Sequence, residues 1–172
     1  MKKLVVAVMV GVASITATKA QFYVGGGLGF WHEPTYSTSF WIEPEAGYLF
    51  NERWTIGLSI GFEHITYYEP YIIKKKYTKY FFYASPYARF NYFSTDKIKL
   101  FLDGVVGIST GFPADFGFQV IVRPGISINL TDHFTLIGTF GALGYRQSYR
   151  NTRDGFGLDL SNSLRVGFYY SF

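Results

Sequence analysis

The residues of this chain that are best placed to do chemistry are charged side chains within stretches of alternating apolar and polar residues. Counted from the short polar turns that separate these stretches, three carboxylates and three arginines lie roughly five to eight residues in: Glu43, Glu45, Arg89, Asp103, Arg123 and Arg165. Buried charges must be paired, and the planar fork of arginine suits carboxylates. We predict a single ion-paired layer that fills the interior of the fold. A gated ion path, a small-ligand site and a catalytic centre are the alternatives.

Histidine offers the chain its main route to acid–base or nucleophilic catalysis, and the chain has three. The best triad-like group is His64 with Glu63 and Ser59. Side chains alternate across a strand, so Ser59 and Glu63 share one face while His64 lies on the other, which argues against a triad. No His or Cys cluster has the spacing of metal ligands. We therefore predict no catalytic residues, no metal, no cofactor and no enzyme activity.

The elements that must position these charges are stretches with a period of two residues, which is the pattern of β-strands. Eight strands are predicted, with approximate bounds 21–30, 40–50, 54–64, 79–93, 98–109, 116–130, 134–146 and 156–172. Short turns are predicted at 51–53, 94–97 and 131–133, and longer loops at 31–39, 65–78, 110–115 and 147–155. Short turns at one end and longer loops at the other are typical of transmembrane barrels.

Each of these stretches has one continuous apolar face. In the third, alternate residues from Trp54 to Phe62 are large and apolar, whereas those from Thr55 to Glu63 are small, polar or charged. The polar faces cannot form a dry core, and the outer face of a soluble barrel would be mostly polar. A closed sheet in lipid needs the opposite arrangement, apolar outside with every backbone hydrogen bond made. The sequence predicts an all-β fold, an eight-stranded antiparallel transmembrane up-and-down β-barrel.

Aromatic residues near the strand ends predict two girdles at the membrane surfaces, because amphipathic rings prefer the headgroup level. The girdle near the short turns comprises Phe50, Trp54, Phe134, Tyr170 and Phe172. The girdle near the loops comprises Phe30, Trp31, Phe40, Trp41, Phe116 and Phe156.

The first twenty residues have the organisation of a secretory signal peptide. Lys2 and Lys3 precede an apolar run over 4–12, and small residues follow up to Ala20. This predicts a cleavable leader at 1–20 and one mature domain at 21–172. Without the leader the 16 basic residues fall to 13 against 12 acidic ones, so the net charge falls from +4 to +1. The basic balance therefore does not indicate a nucleic-acid partner.

The segment from Ile42 to Asn51, followed by Trp54 to Leu58, resembles the strand–turn–strand unit of small outer-membrane β-barrels of the OmpA/OmpX type, a porin-like group. The resemblance covers residues 21–172. It implies a multi-pass protein of the bacterial outer membrane, in contact with outer-membrane lipids. It also implies that the barrel assembly machinery reads the closing strand, through Phe168, Tyr170 and Phe172.

The longer loops are basic, and cations there could meet the phosphates of lipopolysaccharide. The residues predicted to make such contacts are Lys74, Lys75, Lys76, Arg150 and Arg153. The alternative is a solvated loop whose charges only keep it soluble. The predicted function is a structural or interaction role, through the outer loops of a filled barrel, in envelope integrity, adhesion or ligand contact. A lipid A-modifying enzyme and a narrow porin-like channel are the alternatives.

Overall fold

The computed structural model describes residues 22–33, 37–69, 75–112, 115–151, 154–159 and 165–172. The predicted leader at 1–20 lies outside the described residues. The strands are β1 (Phe22–Glu33), β2 (Ser37–Leu49), β3 (Trp54–Glu69), β4 (Lys75–Ser94), β5 (Ile98–Phe112), β6 (Asp115–Asn129), β7 (Phe134–Thr139), β8 (Ala142–Gln147), β9 (Gly155–Asp159) and β10 (Arg165–Ser171). A short 3-10 helix, η1 (Tyr149–Asn151), follows β8. Within the described ranges no helix has the length and apolar character needed to cross a membrane.

The strands close into an antiparallel barrel. β1 to β6 pair in sequence order, β6 pairs with both β7 and β8, β7 pairs with β10, and β10 returns to β1. β7 and β8 are two halves of the seventh barrel strand, interrupted at Phe140 and Gly141, where the glycine adopts a φ of 70°. β9, paired with β8, and β10 belong to the eighth. The prediction of an eight-stranded antiparallel barrel is confirmed.

The strands are longer at the loop end than the sequence predicted. β3 continues to Glu69 and β4 begins at Lys75, and these two residues are cross-strand partners. The prediction of a loop over 65–78 is therefore wrong for most of that range. Within the hairpin the hydroxyl oxygens of Thr66 and Thr78 lie 3.5 Å apart. Threonine and tyrosine favour strands, so the pairing continues beyond the apolar stretch on which the prediction relied.

The outer wall of the barrel is apolar. Leu28, Ile60 and Val106 lie on it with 71%, 57% and 52% of their surfaces exposed, whereas inward-facing Phe101 and Asp103 are fully buried. This is the reverse of a soluble protein, in which large apolar side chains face the core. The wall is therefore built for an apolar surrounding.

Aromatic side chains lie at both rims of this wall. The exposed ones include Phe30, Phe40, Phe50, Trp54, Phe116, Phe134, Phe156, Tyr170 and Phe172. The prediction that Trp41 belongs to a girdle is wrong. Trp41 is an odd-numbered residue of β2, like inward-facing Glu43, and its ring lies inside the barrel 5.7 Å from the guanidinium carbon of Arg165.

Aromatic rings fill the lumen near the short turns. Tyr23 and Tyr169 stack with their ring centroids 4.5 Å apart, and Tyr87 and Phe101 are buried in the same cluster. Gly57 of β3 makes room for this packing, because a Cβ at that position would collide with the ring of Tyr87. The inward-facing glycines thus make room for inward-facing rings. Side chains occupy the half of the lumen nearest the short turns, called the inner half below.

Candidate functional site

The centre of the lumen contains a row of three charges on neighbouring strands. Arg89 of β4, Asp103 of β5 and Arg123 of β6 are direct cross-strand partners. Arg89 donates from Nε and Nη2 to the two carboxylate oxygens of Asp103 at 2.7 and 3.0 Å. Arg123 donates from Nη2 to the same carboxylate at 3.3 Å. Asp103 therefore bridges two arginines from a position without solvent contact.

The two carboxylates of β2 complete the layer on the opposite side of the barrel. Arg165 of β10 donates to Glu43 Oε2 at 2.8 Å, and the hydroxyl of Tyr83 donates to the same oxygen at 2.9 Å. Glu45 accepts hydrogen bonds from the hydroxyls of Tyr87 and Tyr169. The structure thus brings all six predicted layer residues into one lumen network. The tyrosine donors were not identified from the sequence.

A second arginine–carboxylate pair lies nearer the loop end and was also missed. Arg150 of η1 donates from Nε to Glu63 Oε2 at 2.6 Å, and its guanidinium carbon lies 4.4 Å from the centroid of the Tyr83 ring. Glu63 shares the inward parity of β3, so the alternation indicates its direction. Arg150 lies in a connection without periodicity, and no sequence pattern indicated that it turns inward.

The segment that contains Arg150 is fixed into the outer mouth of the lumen. The Arg150 amide donates to Ser109 Oγ at 3.1 Å, and the hydroxyl oxygens of Tyr149 and Ser85 lie 2.9 Å apart. Ser148 and Arg150 both have positive φ, at 48° and 51°, a conformation that costs energy for residues other than glycine. Contacts with the barrel interior hold this strained turn in place.

Electrostatics at this mouth favour a neutral tyrosine and a charged arginine. Burial raises the pKa of the Tyr149 hydroxyl, so it stays protonated. Burial alone would lower the pKa of Arg150, but interactions with Tyr83 and Glu63 outweigh burial and raise it. Arg150 therefore stays positively charged beside Glu63.

Taken together, the lumen network contains equal numbers of positive and negative side chains. Four arginines face four carboxylates: Arg89, Arg123, Arg150 and Arg165 against Glu43, Glu45, Glu63 and Asp103. An eight-stranded barrel is just wide enough for side chains to fill. The side chains of this layer are thus paired across the lumen with balanced charge.

The structure places His64 and His133 away from the predicted triad partners. His64 packs against the ring of Tyr80 with centroids 5.0 Å apart, on the face of β3 opposite to Ser59 and Glu63. His133 lies in a short turn, where its Nδ1 is 2.9 Å from the carbonyl oxygen of Ser171. Among the described residues no group of three His, Cys, Asp or Glu side chains is arranged to hold a metal ion.

The residues proposed as the assembly signal lie on the outer wall. Phe168, Tyr170 and Phe172 expose 58%, 37% and 64% of their surfaces. The ring of Tyr170 makes edge contacts with Phe134 and Phe172, at 5.1 Å between centroids in both cases. The end of the last strand is therefore an aromatic patch at the short-turn rim.

The predicted lipopolysaccharide contacts are not one surface. Lys75 and Lys76 have strand backbone in β4 rather than loop backbone. Arg150 departs from the prediction altogether, because its side chain points into the lumen and pairs with Glu63. Lys74 and Arg153 lie outside the described residues.

Comparisons with known proteins support the fold through structure alone. No protein-family model matches the chain, and no curated protein sequence matches it significantly. Three similar solved structures are Neisserial surface protein A, the Yersinia pestis outer-membrane protein Ail and the Pseudomonas aeruginosa outer-membrane protein OprG. Their TM-scores are 0.55, 0.50 and 0.50, at 13%, 14% and 11% identity. The matches cover 88%, 89% and 92% of this chain and 97%, 99% and 99% of theirs. The chain thus has the fold of small outer-membrane β-barrels.

Proposed function

We propose that the protein is an integral barrel of a bacterial outer membrane, exported by the leader at 1–20, with a lumen closed by side chains. The observation that carries the proposal is the combination of an apolar outer wall with a charge-balanced interior. A lipid surrounding requires the apolar outer wall, because exposed leucine and isoleucine side chains are stable in lipid. Unpaired backbone polar groups are not stable there, and a closed barrel leaves none in its wall. The charge-balanced interior supports a lumen that is filled by paired side chains.

A closed lumen makes an interaction role the best-supported function. The part of the protein available to other molecules is then the loop end, where β3 and β4 extend the barrel as a paired hairpin. We propose that this end contacts lipopolysaccharide or an extracellular partner, and that the lysines at 74–76 contribute positive charge to that contact. The protein acts in this proposal without enzymatic chemistry, in line with the placement of His64 away from Glu63 and Ser59.

Assembly in the proposed membrane depends on the last strand. The exposed aromatic patch formed by Tyr170, Phe172 and Phe134 lies at the rim where an outer-membrane insertion machinery would meet the barrel. We propose that Phe168, Tyr170 and Phe172 are recognised there. The support is their outward direction, which leaves their side chains accessible before lipid covers them.

Single-channel recording in planar lipid bilayers tests the closed lumen. The wild-type protein is expected to give no steady conductance. The matched variant Tyr87→Ala/Tyr169→Ala removes two rings and two hydrogen-bond donors from the inner lumen, and it is expected to conduct measurably more. A reproducible open pore formed by the wild-type protein would overturn the proposal and favour the narrow-channel function.

A further inference from the structure

A cavity of about 270 Å³ lies in the outer half of the lumen, between the charged layer and η1. Its volume is several times the roughly 30 Å³ that one water molecule occupies in the liquid. Arg165, which lines it, has a side chain that is 35% exposed. Tyr149 and Arg150 of η1 form part of its wall. The cavity is therefore a polar chamber large enough for a small solute.

One donor in the wall of this cavity has no partner. The Nε–H of Arg123 is buried and donates to no acceptor among the described residues. Among the described residues the guanidinium of Arg123 donates from Nη2 to Asp103, and Arg89 already holds both oxygens of that carboxylate. A buried guanidinium donor that lacks an acceptor costs free energy. Arg123 is thus the arginine of the layer with spare capacity for an anion.

The charges of the cavity wall favour an anion over a cation. Four arginines line the wall against three carboxylates, which leaves one net positive charge: Arg123, Arg146, Arg150 and Arg165 against Glu43, Glu63 and Asp159. Glu43 is already paired with Arg165, and Glu63 with Arg150, so these carboxylates are neutralised. Asp159 offsets one of the two remaining arginines, Arg123 and Arg146, which leaves one net positive charge in the wall. Guanidinium groups select oxyanions because their donors match the spacing of carboxylate and phosphate oxygens.

We propose that this outer lumen cavity is a binding site for a small oxyanion, a solute with a carboxylate or phosphate group, anchored by Arg123. The solute accepts hydrogen bonds from the accessible part of the Arg123 side chain, because the counter-charge of Arg123, Asp103, is shared with Arg89. The Tyr149–Arg150 segment forms part of the wall around the solute. The proposal rests on the fold of the lumen and not on the identity of the membrane or of any loop partner. A channel activity would refute the proposed function and leave the anion site to be tested separately.

Arginine side-chain NMR on the refolded protein in micelles tests the site directly. The Nε–H signals are assigned through bonds in the wild-type protein, so the experiment does not depend on a variant that folds. Inorganic phosphate and acetate are titrated in separate arms against potassium chloride at constant ionic strength. The Arg123 signal is expected to shift saturably with at least one oxyanion, and the arm that saturates identifies the class of solute. Arg53, exposed in a short turn, serves as the internal control and is expected to show no saturation.

The variant Arg123→Lys keeps the charge but removes Nε and the planar fork. We expect it to weaken binding of the oxyanion at least tenfold, measured from the shifts of the remaining arginines in the cavity wall. The control variant Arg53→Lys is expected to bind as the wild type does. Absence of a saturable shift in the wild type would mean that water alone occupies the cavity, and equal affinity in Arg123→Lys would place binding elsewhere. Either outcome overturns the proposal.

Discussion

Asp103 is the residue on which the stability of the lumen layer depends most. It accepts three hydrogen bonds from two arginines and has no solvent-accessible surface. The substitution Asp103→Asn preserves the size of the side chain and removes its charge. Arg89 and Arg123 then share no counter-charge, and the new amide NH2 group takes the place of one acceptor oxygen. The substitution therefore converts a paired layer into one with excess positive charge.

The expected loss of stability follows from the type of contact that is broken. Removing one partner of a buried ion pair costs about 3–5 kcal/mol, since it leaves uncompensated charge in a poorly solvated site. For a small protein with a urea m-value of about 2 kcal/mol per molar, this corresponds to a fall of about 2 M in the unfolding midpoint. The amide oxygen still accepts one bond, which places the cost within this range rather than above it.

Urea titration in lipid vesicles measures this difference, with tryptophan fluorescence and heat-modifiable gel mobility as parallel readouts of folding. The matched control is Asp96→Asn, the same chemical change in an exposed short turn, expected to alter stability by less than about 0.5 kcal/mol. In the Asp103→Asn background, Arg89→Gln is expected to cost less than in the wild type, because its partner is already lost. If Asp103→Asn and Asp96→Asn shift the midpoint equally, the layer is hydrated and its ion pairs contribute nothing to stability.

Three further predictions address the membrane, assembly and loop contacts. Ile60→Arg places a charge on the outer wall and is expected to cost about 2–4 kcal/mol in vesicles if Ile60 lies near the bilayer midplane, whereas a negligible cost would argue against a lipid-facing wall. Phe172→Ala is expected to lower the folded fraction in the outer membrane of cells several-fold, with unchanged refolding in detergent; an equal loss in both would assign Phe172 to stability alone. Replacing the lysines at 74–76 by glutamine is expected to weaken lipopolysaccharide binding and reduce its salt dependence, and unchanged values for both would exclude their role.

The sequence predicted the layer because its six charges obey two simple rules. Residues of one parity share a face, and residues at similar distances from the short turns lie at one level of the barrel. Arg89, Asp103 and Arg123 satisfy both rules and became direct cross-strand partners. The same rules indicated the inward direction of Glu63, although its pairing could not be predicted.

The features that escaped prediction depend on contacts between distant segments. Arg150 turns into the lumen because Ser109 and Glu63 hold a turn that its own residues do not favour. The extended hairpin depends on backbone pairing between β3 and β4 at the loop end. The alternation of apolar and polar residues is no longer regular there. Trp41 lies on the same face of β2 as Glu43, which indicates an inward direction. Its aromatic type favoured a position in the girdle instead, and that prediction was wrong.

The charged layer also bears on why the strands pair in one register. The inward face of β3 is largely glycine and serine, and such faces specify register weakly. A slip of one residue in β5 would turn Asp103 towards lipid and leave Arg89 and Arg123 without a counter-charge. The slipped arrangement is less stable by about 3–5 kcal/mol because the buried ion pair is broken. It also incurs the cost of placing a carboxylate in the bilayer. We infer that the layer favours the observed register of β4, β5 and β6, because the charges pair only when the three strands are aligned as they are.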